Sequence, residues 1–208
     1  KRHLGLVAGA TRQNSAERVE EDPAKSLVKI GKDGFESLKR EFPYRQPASE
    51  VPAKSLTYFY NRYLCHPIYR YDGYALHRRA AALGLLIVRR VTHQHHRALR
   101  IVDYFGPEEG WIGLGEAFQG LLAADDAEYI DLLTYGTEEE VLEKAGLVKL
   151  DPDGDTIIPN YYEPFERRNI RIHFAFKADK QARYKIFKGD GDQDRPNLVQ
   201  EGSLAHAG

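Results

Sequence analysis

Methionine is absent from this sequence, and cysteine and tryptophan occur once each, at Cys65 and Trp111. A single thiol excludes an internal disulfide framework and fits a reducing compartment, with the cytoplasm as the default expectation. Without a methionine anywhere, the chain reads as a fragment or a trimmed form. Excess charge of one sign is also missing. Thirty Lys and Arg against 31 Asp and Glu leave a net charge of −1, which is not the basic footprint of a nucleic-acid binder. Long apolar runs are missing too. The longest, Ala80–Val88, falls well short of the ~20 residues that a membrane-spanning helix needs. Lys1-Arg2-His3 is followed by only a brief apolar stretch, so no secretory leader is read there.

Among the 208 residues, 42% are hydrophobic and 29% charged, enough apolar side chain for a sizeable core under a mixed-sign surface. Residues 1–54 read as an N-terminal segment and linker. Within it Asp33–Phe42 has helical spacing with Asp33 as the expected N-cap, and Pro43, Pro47 and Pro52 follow. Residues 55–188 read as the main domain and 189–208 as a polar tail. The domain opens on a tyrosine-rich helix in which Leu56, Phe59, Tyr60, Tyr63 and Leu64 share a face. Strands are expected at Tyr74–Arg79, Leu83–Val91 and Leu99–Phe105, joined by links too short for anything but antiparallel pairing. A helix over Glu116–Ala124, a strand over Ala127–Thr134 and a helix over Thr137–Ala145 come next. The last has Thr137 and Glu140 as a capping box and Gly146 as its C-cap. Further strands are expected at Thr156–Ile158, Ile170–Phe176 and Arg183–Phe187. The fold class is α/β in the α+β sense, a mixed and mainly antiparallel sheet flanked by helices.

The chemistry centres on the turn between Leu99–Phe105 and the next helix, Gly110-Trp-Ile-Gly-Leu-Gly115. A strand feeding a glycine-rich helix start can offer backbone N–H groups and a positive helix end to a phosphate. The alternative is a flexible helix start with Trp111 filling the core. With the three-strand meander before it and Glu139–Leu147 (EEVLEKAGL) after it, residues from about 55 to 176 resemble the GCN5-related N-acetyltransferase (GNAT) superfamily. The Gly189–Asn197 run resembles GNAT-like proteins of polysaccharide biosynthesis clusters, and the segment before residue 55 resembles a link from an earlier half of a tandem protein. The resemblance implies acetyl-CoA or another acyl-CoA as co-substrate, with Tyr104, Phe105, Gly110, Gly113, Leu114 and Gly115 as its binding residues. It also implies a small-molecule amine or amino-sugar acceptor, and as partner a second copy or a second GNAT-like half. Gly113 and Gly115 match the family's glycine positions, while Gly110 stands where the family has Arg or Gln. Leu142 stands where many members carry a tyrosine acid.

Tyr135, near the end of the preceding strand, is the candidate replacement for that acid, with Tyr129 as a further option. Glu108 and Glu109 are candidate general bases, set against the reading that they are solvated loop charges. Asp103 is a further carboxylate of the same group. The leading function is therefore an N-acetyltransferase, and the alternative is a catalytically silent GNAT-like binding or scaffolding module. A third reading, a nucleotide or methyl-donor site after Ile101-Val102-Asp103, requires a parallel sheet and ranks last.

Other constellations carry less. His93, His95 and His96 fit an exposed hairpin tip better than a metal site. Cys65 beside His66 and Pro67 reads as an inert thiol. Asp151–Asp155 and Asp190–Asp194 alternate carboxylates as calcium loops do. Tyr162 at the twelfth place of the first and Arg195 at the glycine place of the second leave turn chemistry as the favoured reading. Tyr58, Tyr69, Tyr71 and Trp111 would suit stacking on sugar rings.

Overall fold

The computed structural model describes residues 2–4, 7–11, 22–93, 95–158, 169, 172–175 and 181–191. The N-terminal strands are β1 (Arg2–Leu4), β2 (Val7–Thr11) and β3 (Lys25–Ile30), followed by helix α1 (Lys32–Glu41) and β4 (Glu50–Val51). Helix α2 (Leu56–Phe59) widens into a π-turn at Tyr60–Leu64. Then come β5 (Asp72–Arg78), β6 (Ala81–His93) and β7 (His96–Phe105). A 3-10 turn (Glu108–Gly110) leads to α3 (Gly115–Asp125), β8 (Tyr129–Tyr135), α4 (Glu139–Glu143) and β9 (Val148–Lys149). The described chain ends with β10 (Ile172–Phe174), β11 (Arg183–Tyr184), β12 (Ile186–Phe187) and a 3-10 turn at Lys188–Asp190.

The main sheet runs β3-β5-β6-β7-β8-β2-β9, with β12 also on β8. Every pairing in it is antiparallel except β7 with β8. This is the mixed, mainly antiparallel sheet with flanking helices that the sequence implies. Because β7 is antiparallel to β6, the fully parallel arrangement of the third reading is not formed. Both faces are covered. One packs Leu99, Ile101, Ile130 and Leu132 under Trp111, Phe118 and Leu122. The other packs Leu85, Ile87 and Val102 under Phe35, Leu38, Phe59 and Tyr63 from α1 and the α2 turn. Burial on both faces explains why β6 and β7 read as near-continuous apolar runs.

Several boundaries differ from the sequence reading. Much of the expected linker is part of the domain: β3 pairs with β5 over six residues, and Phe35, Leu38 and Phe42 are buried. Gly31, not Asp33, is the N-cap of α1, and Asp33 lies in its first turn. The Thr137–Glu140 capping box is not made. Glu138 caps α4 through its backbone, and the Thr137 hydroxyl meets that of Thr134 at 3.2 Å. Gly146 does adopt the left-handed conformation of a C-cap, at φ 80°. Thr156–Ile158 forms no strand, because Asn169 bonds to both Ile158 N–H and Thr156 carbonyl there. Arg183–Phe187 is two strands broken at Lys185. The polar tail begins later than expected, since Lys188 and Gly189 are buried. Residues 12–21, most of the second acidic run and the rest of the tail lie outside the described residues.

Candidate functional site

The site grows from an irregularity in β7. Ile87 of β6 faces Asp103 and Val88 faces Ile101, so Val102 is an extra residue on β7, a β-bulge. A bulge bends its strand and reverses which face each later residue points to. Ile101 therefore joins the Trp111 side of the core. Val102 joins the other side, Tyr104 returns to the Trp111 side, and Phe105 packs with Phe42 and Phe59. The parallel pairing of β7 with β8 ends at the same point, with Ile101 opposite Leu132. Beyond it the strands part.

The opening is filled from within the chain. β12 pairs antiparallel with the end of β8, Ile186 opposite Tyr135 and Phe187 opposite Thr134, and the Thr134 hydroxyl donates to the Ile186 carbonyl at 3.0 Å. The turn that follows lies against β7. A Cβ on Gly189 would sit 2.9 Å from the Val102 carbonyl oxygen and 2.2 Å from the Tyr63 hydroxyl. Only glycine fits there. Arg62 donates to the Gly189 carbonyl from Nη2 at 2.6 Å and from Nε at 3.2 Å.

Beneath this segment lies a buried ionic cluster. Lys54 Nζ is 2.6 Å from Asp103 Oδ1 and 2.8 Å from Asp190 Oδ2, and the Tyr63 hydroxyl donates to Asp103 Oδ2 at 2.7 Å. The Tyr104 N–H also donates to Asp103, at 2.8 Å. One ammonium faces two carboxylates, so it cannot neutralise both. Burial pushes Asp103 up to about 6; Lys54 and the donated hydrogen bonds hold it down in part, and the Asp190 charge adds to the rise. Burial alone would lower Lys54, but the two carboxylates outweigh it and the net direction is up. Burial, then Asp103, also raises the Tyr63 phenol, which keeps its proton as a donor.

A small cleft opens beside the cluster, lined by Tyr44, Glu50, Lys54, Phe105, Gly106, Lys185 and Phe187 among others. The parallel pairing of β4 with β11 brings Glu50 beside Arg183 and Val51 beside Tyr184. Glu50 Oε1 then receives Lys185 at 2.9 Å, and Tyr44 donates to Oε2 at 3.3 Å. Glu50 is 6% exposed, a carboxylate almost wholly inside protein. Burial and then Glu50 raise the Tyr44 phenol.

The glycine-rich turn does not have the form expected of it. The N–H groups of Gly110, Trp111, Gly113 and Leu114 donate to the carbonyls of Pro107, Glu108, Lys144 and Trp111. They are not bare. Its carbonyls instead converge on a cation: Lys25 Nζ donates to Glu109 O at 3.0 Å, Gly110 O at 3.1 Å and also to Ile112 O. Burial lowers the Lys25 ammonium. Asp22 closes over Gly113, which holds φ 80° and whose Cβ position lies 2.7 Å from Asp22 Cβ. Trp111 is buried against Tyr104 and Phe118, so it fills the core and does not stack on a ligand. Gly110 is needed for packing, since a Cβ would fall 2.0 Å from the Tyr104 hydroxyl.

The structure brings some candidates together and scatters others. Tyr104 and Phe105 line the cleft. The Tyr104 hydroxyl, buried and thereby raised, donates to the Pro107 carbonyl at 2.9 Å. Glu108 approaches the cleft through Lys185, 3.5 Å away, and is fixed by Arg183 at 2.6 Å and the Glu138 N–H. It is therefore not the solvated loop charge of the alternative reading. Glu109 is exposed and contributes its carbonyl to Lys25. Tyr135 ends β8 opposite Ile186, with its ring 5.4 Å from that of Phe174. Leu142 is buried in the core. Gly115 and Leu114 begin α3, with Leu114 buried as its N-cap. His95 and His96 lie exposed at the β6–β7 hairpin, where His96 meets Glu128. Asp151–Asp155 is a turn held by Asp151 on the Asp153 and Gly154 N–H groups.

Sequence reasoning missed Tyr44, Glu50, Lys54 and Lys185. The one signal was Asp103, a carboxylate inside an apolar strand, which has to find a cation somewhere. No protein-family model matches this chain, and no curated protein matches it. Among the described residues, no helix is long and apolar enough to cross a membrane.

Proposed function

We propose that this protein is an N-acyltransferase of the GNAT type that uses an acyl-CoA donor and works at the cleft where β7 and β8 part. The observation that carries the reading is the parting itself. The one parallel pair among the described strands of the main sheet opens at a bulge, and a cleft with aromatic walls and a buried carboxylate lies beside the opening. Bulges recur next to active sites because they re-aim side chains and end pairing. The residues fit an acyl-CoA only in part. The position of the opening suits an extended donor arm, but β12 lies in it and four turn N–H groups are spent.

Glu50, held by Lys185 and Tyr44 at the cleft wall, would orient an amine and take its proton. The acceptor class is an amino sugar or nucleotide sugar of surface-polysaccharide synthesis, on the resemblance of the Gly189–Asn197 run.

The test is thiol release from acetyl-CoA in the presence of a panel of amino sugars and nucleotide-linked amino sugars. Amine-dependent release that falls tenfold or more in Glu50→Gln is expected, in line with the ~10²–10⁴-fold worth of a general base. Absence of release with every amine, at millimolar donor, would contradict it. A second reading, a catalytically silent binding module, is favoured by the spent N–H groups of the turn and by buried Leu142.

A further inference from the structure

We propose that Ile186–Asp190 is a strap, a cis-bound segment that occupies the opening between β7 and β8 and must leave before a donor can enter. The inference rests on the acyltransferase reading and adds its regulation. The strap has the form of a ligand more than of a core strand. It pairs with β8 over two residues only, at Thr134 and Tyr135. Phe187 turns its N–H to Asp190 Oδ2 at 2.8 Å instead of to a neighbouring strand. Its anchors include the Thr134 hydroxyl on Ile186, Arg62 on the Gly189 carbonyl, the Phe187 ring in the core, the buried Lys188 and Gly189, and Lys54.

Lys54 is the latch. Its ammonium bridges Asp103, which belongs to β7, and Asp190, which belongs to the strap, and it also lies 5.0 Å from the Phe187 ring centroid. A buried ion pair adds little net stability once desolvation is counted, yet losing one partner is costly. Such a link suits a contact that is either complete or released. When the strap leaves, the ends of β7 and β8 lose its cover. Their backbone groups become a two-sided slot of the kind that extended, amide-bearing chains use for strand-like pairing. A ligand that needs the strap-out state has its apparent affinity reduced by the fraction of molecules in that state.

Two variants open the strap by different means. Gly189→Ala places a methyl group against the Tyr63 hydroxyl and the Val102 carbonyl, and Asp190→Asn removes the charge held by Lys54. For the whole chain and both variants, hydrogen exchange reports the Ile186–Asp190 amides and calorimetric titration reports acetyl-CoA binding. The expected result is faster exchange in the strap and a tenfold or greater gain in acetyl-CoA affinity in at least one variant. If the unmodified protein binds acetyl-CoA as tightly as the variants, the strap inference fails and the acyltransferase reading stands. If the strap exchanges freely and no form binds acetyl-CoA, the reading fails and takes the inference with it. If the strap stays protected in both variants, the latch is wrongly assigned and the inference is overturned.

Discussion

At the scale of single residues, the arrangement turns on Asp103. It accepts hydrogen bonds from Lys54, Tyr63 and the Tyr104 N–H, and it is completely buried. Three donors would ordinarily keep a carboxylate acidic, but burial and the second carboxylate at Asp190 push it up to about 6 from its ordinary 3.8. A raised acid pKa means that the folded state holds the proton more tightly than the unfolded chain. The associated stability is present at pH 4 and is lost as pH rises through 6. At ~1.4 kcal/mol per pH unit, the loss is up to roughly 3 kcal/mol. Urea unfolding from pH 4 to 7 should show this downward slope in the unmodified protein. Asp103→Asn should flatten it, and an unchanged slope in the variant would place the titration elsewhere.

At the scale of elements, the meander β5-β6-β7, helix α3, strand β8 and the short α4 were legible because apolar periodicity and short links leave few alternatives. The bulge at Val102 was not. Ile101-Val102-Asp103-Tyr104-Phe105 reads as one continuous buried strand, and nothing in it marks the reversal of faces after Val102. The glycine-rich turn was legible as a turn but not in its polarity. Lys25 and Asp22, more than eighty residues away in sequence, meet its carbonyls, while the N–H groups of Gly110, Trp111, Gly113 and Leu114 are taken by the carbonyls of Pro107, Glu108, Lys144 and Trp111. The cleft was hidden for the same reason, since β4 and β11 bring Glu50 and Lys185 together from distant parts of the chain. The register of β7 against β8 has its own marker. Arg100 and Asp131 are directly paired, each side chain 1% exposed, with Arg100 Nε 3.0 Å from Asp131 Oδ2. Arg100→Met should cost ~3–5 kcal/mol, because it leaves Asp131 buried without its cation. A thermal or urea unfolding experiment measures that cost, and a loss under 1 kcal/mol would show the pair to be incidental.

At the scale of the whole molecule, the sheet is sealed by helices on both faces and by the chain's own Ile186–Asp190 at its one parallel opening. The central claim is that this opening is the donor site. Backbone-amide NMR of the Asp190→Asn protein, titrated with acetyl-CoA, tests it most directly. The account expects shifts concentrated at Val102–Phe105 of β7 and Leu133–Tyr135 of β8, with the exposed His95–His96 hairpin tip unmoved. Shifts confined to other parts of the molecule, or none at millimolar acetyl-CoA with the strap free, would contradict it.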